Sequence, residues 1–154
     1  MKTRTILLTL VTCLLGWTLS FAENPHMGTW KLNEAKSKIA PGATKNHTVV
    51  YEAAGDNVKV TVDGVDGMGK PVHSEWTGKF DGKEYPVTGN PAESSRSYKK
   101  VNDRALELTD KKDGKVTVTG RIEVSADGKI RTVRTTATDS EGKKTHSVAV
   151  YDKQ

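Results

Sequence analysis

Five turns built on Gly-Lys, each introduced by an apolar or acidic residue, cut the chain after residue 67: Met68-Gly69-Lys70, Asp81-Gly82-Lys83, Asp113-Gly114-Lys115, Asp127-Gly128-Lys129 and Glu141-Gly142-Lys143. Glycine supplies the positive φ of a tight reversal, aspartate tolerates the neighbouring position, and lysine opens the next segment with a solvated charge. The last three glycines stand 14 residues apart, at 114, 128 and 142. Segments that alternate apolar and polar residues between such turns describe a meander of antiparallel strands.

Composition agrees. Residues 23–154 hold fifteen valines and fourteen threonines against three leucines, Leu32, Leu106 and Leu108. β-Branched side chains favour the pleated sheet, and so few large aliphatics cannot fill two broad facing layers. A small barrel with a partly polar lining fits both facts. Ten strand segments are expected, at 28–33, 47–53, 57–63, 71–80, 84–88, 96–101, 104–110, 115–125, 129–138 and 144–152. Alternation is cleanest for Val58, Val60 and Val62, for Leu106 and Leu108, and for Val116, Val118, Ile122 and Val124, which oppose Thr117, Thr119, Arg121 and Glu123. Helix is confined to one short turn after the first strand, where Asn33 caps 34–38 and Pro41-Gly42 ends it. The fold class is therefore all-β, an antiparallel meander barrel of about 8–10 strands.

Residues 1–22 read as an export signal: Lys2 and Arg4 precede an apolar run at 6–17, and Ser20-Phe21-Ala22 offers small residues before a cut. The run is broken by Thr9, Thr12, Gly16, Thr18 and Ser20, short of the ~20 apolar residues of a membrane span. Cys13 loosely fits a lipid-modified cut site, but Leu14 and Leu15 continue the apolar core past it. The expectation is a periplasmic or extracellular protein with a single domain at 23–154, no integral membrane segment once the signal is removed, and no cysteine to form a disulfide. The chain carries 24 basic and 19 acidic residues, and Lys2 and Arg4 supply two of that excess. The other lysines are interspersed with acids, so no basic face is expected for nucleic acid.

Gly28-Thr29-Trp30-Lys31-Leu32 near the start of this domain, the ten-strand meander and the closing Val148-Ala149-Val150-Tyr151-Asp152-Lys153 together resemble the calycin group of ligand-binding barrels, which includes the lipocalins and the fatty-acid-binding proteins. The resemblance covers roughly residues 27–153. It implies that Gly28 and Trp30 form the barrel floor. Fatty-acid-binding proteins hold a carboxylate with two arginines and a tyrosine; Arg121 stands at the offset of one arginine from Asp113-Gly114, Tyr151 matches the tyrosine, and Ala149 occupies the second arginine's position. The two-helix lid of that family has no counterpart in 34–38. Alternation opposes part of this correspondence. If Arg121 and Tyr151 faced the cavity, Val116, Val118, Ile122, Val148 and Val150 would face water. On that ground Arg121 belongs on the outer face, and the two readings stand side by side.

No pattern for catalysis emerges. The serines lie outside any Gly-x-Ser-x-Gly elbow, no thiol remains after residue 22, and no phosphate-binding glycine loop leads into a helix. His26, His47, His73 and His146 share no metal-ligand spacing, and Asp63-Gly64-Val65-Asp66-Gly67 lacks the closing glutamate of a calcium loop. No metal or cofactor is expected, and the chain is not read as an enzyme. Trp76, Phe80, Tyr85, Tyr98 and Tyr151 fall on strands, where they line a pocket or pack a core. The expected function is a carrier of a small apolar or lipid-like ligand, with Trp76, Tyr98, Arg121 and Tyr151 as ligand contacts. The competing expectation is an envelope-associated structural or protein-interaction domain whose core is filled by its own side chains. Oligomeric state and ligand identity are not encoded in any motif.

Overall fold

The computed structural model describes residues 23–154; residues 1–22, read above as an export signal, and Cys13 within them lie outside the described residues. Ten strands run β1 Gly28–Leu32, β2 Lys45–Ala54, β3 Asn57–Val65, β4 Pro71–Gly78, β5 Asp81–Thr88, β6 Ser95–Asn102, β7 Ala105–Lys112, β8 Lys115–Val124, β9 Ile130–Thr138 and β10 Lys144–Lys153. Each pairs antiparallel with the next, and β1 pairs with both β2 and β10, so the sheet closes without an edge. A single 3-10 turn, Glu34–Lys36, follows β1, its first turn capped by the Asn33 carbonyl oxygen accepting from the Lys36 amide at 3.2 Å. The all-β meander barrel read from the sequence is the fold. No helix among the described residues is long and apolar enough to cross a membrane.

The glycine turns do their expected work at four of five places. Asp113 and Gly114 both take positive φ, 49° and 79°, between the paired Lys112 and Lys115, which is the conformation a two-residue hairpin with the native strand twist demands. After β3 and β9 one loop design recurs: the Asp66 carboxylate accepts from the amides of Met68 and Lys70, and the Asp139 carboxylate from those of Glu141 and Lys143, all at 2.9 Å. Gly82 is the exception. It sits inside β5, where the register with β6 slips between Asp81 and Glu84, and the chain reverses instead at Lys79-Phe80. A glycine at positive φ serves a bulge as well as a turn. The earlier reversal turns Phe80 into the barrel, against His26, Tyr51, Trp76 and Tyr98.

Take the end where β1 begins as the lower end. Residues 23–27 cross beneath it, and the Trp30 indole N–H donates to the His26 carbonyl at 2.9 Å. Trp30 is fully buried, Lys153 lies over its ring, and Gly28 pairs with Tyr51 beside it. The lower half of the interior is filled: Trp30, Tyr51, Trp76, Tyr98, Leu106, Ile122, Val124 and Tyr151 are all buried in one cluster. Tyr51 on β2 and Tyr98 on β6 meet across the middle, with ring centroids 6.2 Å apart.

The upper half is different on one side. By alternation with buried Ile122, Arg131 and Tyr151, the inward positions of β8, β9 and β10 are Gly120, Val133, Thr135, Ala137, Ser147 and Ala149. All are small or medium-sized, and all are only half-buried. Along this stretch of wall the inward side chains are small, in contrast to the aromatics that fill the lower half. This lining explains a departure from expectation on β10. Tyr151 faces inward while Val148 and Val150 face outward, half-buried, because the inward positions are given to small residues rather than to the larger valines.

Candidate functional site

A string of polar side chains crosses the filled lower half to the upper rim. At the rim, the β5–β6 loop folds inward and buries Glu93, whose carboxylate accepts from Arg96 Nη2 at 2.8 Å. Arg96 Nε donates to Asp110 at 2.8 Å, and its Nη1 donates to the Tyr98 hydroxyl at 3.1 Å. Tyr51 and Tyr98 join their hydroxyls at 3.4 Å, and Arg131 Nη2 donates to the Tyr51 hydroxyl at 2.6 Å. The Arg131 guanidinium lies 4.8 Å from the Tyr51 ring and 5.4 Å from the Tyr151 ring.

The two arginines are treated in opposite ways. Arg96 sits between two carboxylates, the arrangement that makes a buried guanidinium tolerable. Arg131 is only 3 % exposed, and among the described residues it joins no ion pair and its buried Nε and Nη1 have no hydrogen-bond partner. Arginine does not relieve such a position by losing its proton. A buried cation with two idle donors costs several kcal/mol that a leucine or methionine would not. On β9 it lies one inward step below Val133, and Ala149 lies one step above its partner Tyr151, so Arg131 sits directly beneath the small inward residues of the upper half.

Burial also governs ionisation along the string. Desolvation pushes the Tyr151 phenol up to about 12, against the opposing pull of Arg131, and desolvation raises Tyr98 well above the usual range. Both stay protonated and serve as neutral dipoles. Glu93 is pushed up to about 8, chiefly by desolvation and in part by Asp110, with Arg96 opposing. The sign of the consequence is unusual for a carboxylate. The native state holds the Glu93 proton more tightly than the unfolded chain, so this group's contribution is complete below about pH 4.5 and is lost as pH rises toward 8. His26, lowered to about 4 by desolvation and by Arg131, Lys100 and Lys153, acts with the opposite slope, losing stability as pH falls from 6.5 toward 4. Between pH 6.5 and 8, therefore, unfolding free energy of the parent protein should decline relative to Glu93→Gln, as read from urea midpoints. A constant difference between the two would show that Glu93 does not titrate there.

Of the residues expected to contact a ligand, Trp76, Tyr98 and Tyr151 all lie inside the barrel, but in different roles. Trp76 is part of an aromatic cluster, stacked on Phe80 and edge-on to Tyr85 and Tyr98, with its indole N–H donating to the Arg96 carbonyl at 3.0 Å. Tyr98 is a link in the polar string. Tyr151 walls Arg131. Arg121 is on the outer face, paired with Glu123 at 2.9 Å and about half exposed, in a groove of about 530 Å³ shared with Arg134 and His146. Its offset from Asp113-Gly114 matches a family position, but its parity on β8 is that of Thr119 and Glu123, and pairing to Leu106 and Ile122 fixes the other parity as inward.

Sequence reasoning missed Arg131, Tyr51, Arg96, Asp110 and Glu93. Three of these carried a signal. Asp110 shares a face with Leu106 and Leu108, Arg96 with Tyr98, and Arg131 with Val133 and Ala137, so each is a charge on an inward stripe. Glu93 carried none, because its burial depends on how a six-residue loop folds back. Among the described residues, no three His, Cys, Asp or Glu side chains converge to hold a metal ion.

Comparison with known proteins gives little. No protein-family profile matches this chain, and no curated protein matches it. Among solved structures, the chain is similar to one described as "Structure of EF1p2_mFAP2b bound to DFHBI", with a TM-score of 0.47 and 10 % identity over 84 % of this chain and 94 % of that one. At that level of similarity the match carries no argument about function, and no family is assigned.

Proposed function

We propose that this barrel is an exported, non-enzymatic binding protein for a small amphiphile with an acidic end, akin in mode to the calycin group. The ligand's apolar body lies against Val133, Ala149 and the small residues above them, and its anionic group reaches down to Arg131 between Tyr51 and Tyr151. The observation that carries this reading is Arg131 itself, buried without a carboxylate while the neighbouring Arg96 has two. An anion at Nε and Nη1 would supply the missing counter-charge and satisfy both donors in a bidentate pair. Tyr151, held neutral by its burial, adds a dipole without adding competing charge. Glu93 is the group of the polar string pushed closest to neutrality, and its carboxyl is already held by Arg96, so the reading is binding and not turnover.

Native mass spectrometry of the protein purified from its own compartment tests this directly. The expected result is an adduct that leaves on denaturation and contains a carboxylate or comparable acid. Arg131→Met should lose the adduct and gain about 1–3 kcal/mol of stability, because it replaces an unpaired buried charge by an apolar side chain of similar length. A residue whose removal improves the fold but abolishes binding is one retained for function. A repeatedly clean mass, together with an Arg131→Met variant that is less stable than the parent, would replace this reading by that of a filled interaction domain.

A further inference from the structure

At the lower end, residues 23–26 roof a cavity of about 210 Å³ whose mouth opens between this segment and the β6–β7 turn. Its walls include the apolar Phe80 and Leu106, and Lys100 stands at its rim. His26 lines it, only 2 % exposed and edge-on to Phe80 with ring centroids 6.1 Å apart. Both imidazole nitrogens are buried, and neither has a hydrogen-bond partner among the described residues. A buried, unpaired ring nitrogen costs about 1–3 kcal/mol, and here there are two in one side chain. A phenylalanine would fill the same space without that cost.

The surroundings choose the sign of a partner. Arg131, Lys100 and Lys153 are the charges that act on the His26 ring, and all three are cationic. The nearest carboxylates, Glu23 and Asp103, are at the rim, where Asp103 is already paired with Lys100 at 2.7 Å. A cavity of about 150 Å³ accommodates benzene. The volume here therefore suits one substituted ring or a short branched chain, and not a long lipid tail.

We propose that this lower cavity is a second ligand pocket, separate from the upper site, in which His26 hydrogen-bonds the carboxylate of a compact monoanion whose ring or short chain rests on Phe80 and Leu106. It lies at the lower end, between residues 23–26 and the β6–β7 turn, at the opposite end of the barrel from the upper rim. Because the bound carboxylate adds a negative charge beside the imidazole, binding draws a proton onto His26, and affinity increases as pH falls.

Benzoate, benzyl alcohol and benzylammonium are the probes, matched in size and differing in charge. In residue-resolved NMR at pH 6.5, benzoate should give saturable shifts centred on His26, Phe80 and Leu106 and raise the titration midpoint of His26 above its value near 4. Benzyl alcohol should bind more weakly, and benzylammonium should give no saturable shift. His26→Phe should abolish benzoate binding. Lys100→Gln, an exposed change that leaves the interior untouched, should weaken it about two- to fivefold even if His26→Phe fails to fold. Equal responses to benzoate and benzylammonium, shifts confined to Val133 and Ala149, or an unchanged His26 midpoint would each overturn the proposal. In Arg131→Met, adduct loss at the upper site with benzoate shifts at His26 that weaken by no more than those of Lys100→Gln would separate the two sites. Failure of one therefore leaves the other standing.

Discussion

Arg96→Met should destabilise the protein by about 3–5 kcal/mol at pH 7, among the largest losses any single substitution here will cause. The parent side chain donates to Glu93 at 2.8 Å, to Asp110 at 2.8 Å and to the Tyr98 hydroxyl at 3.1 Å, and all four residues are buried. Removing the guanidinium leaves two carboxyl groups facing each other in a medium that solvates neither. The deficit should shrink on acidification. Without Arg96, both carboxyls in the native state take up protons more readily than those of the unfolded chain, so protonation favours the folded form progressively as pH falls. Urea unfolding of the parent and variant at pH 7 and pH 5 measures both effects, and a loss under 1 kcal/mol, or one that does not change with pH, would mean that the cluster is solvated in a way its burial does not suggest. Replacing Arg96, Glu93 and Asp110 together by apolar residues should recover much of the loss, because the cost lies in stranded charge and not in missing attraction.

Trp30→Ala should cost a comparable ~3–5 kcal/mol, by a different mechanism. Its indole is fully buried at the point where β1 joins β2 and β10, and its N–H holds the His26 carbonyl and with it the segment beneath the barrel. The substitution removes dispersion contacts, opens a cavity too enclosed to collapse between three paired strands, and leaves that carbonyl without its donor. Denaturant midpoints measure the loss, and amide exchange should be accelerated first in residues 23–27 and β1. A variant within 1 kcal/mol of the parent, or one whose exchange rises uniformly, would show that the floor is closed by the strand pairing alone. Against the 5–15 kcal/mol typical of a whole domain, either substitution threatens folding itself.

The two predictions differ in what they reveal. Trp30 is a packing residue, and its worth is set by shape. Arg96 belongs to a network that an apolar core would not need, and Arg131 belongs to one that is not even balanced. Polar groups retained inside a small barrel at a cost to stability are where function is to be sought.

How much of this was legible in the chain can be followed residue by residue. The alternation of Val58, Val60 and Val62, of Leu106 and Leu108, and of Val118, Ile122 and Val124 determined strands and their inward faces, because a side chain's face in a pleated strand follows from its count along the chain; Val116, beyond the register shift on β7, is exposed instead. Asp113-Gly114 determined its hairpin, since few other residue pairs accept two successive positive φ angles. The all-β meander followed from such local rules; the closing place of Trp30 was implied only by the resemblance of Gly28-Thr29-Trp30 to the calycin barrels. Asp-Gly-Lys at residue 81 did not determine a reversal, because the same backbone torsion serves a bulge, and only the pull of Phe80 into the aromatic cluster decided where the chain turned. Arg121 and Arg131 show the limit most clearly. Both are arginines on neighbouring strands whose parity already separates them, Arg121 with Thr119 and Glu123 and Arg131 with Val133, but only closure of the barrel sets Arg131 among tyrosines with no carboxylate beside it. Which charges share an interior, and whether they balance, depends on contacts between residues far apart in sequence, such as Tyr51 with Arg131 and Arg96 with Asp110. Those distances are created by closure of the barrel, and no local pattern encodes them.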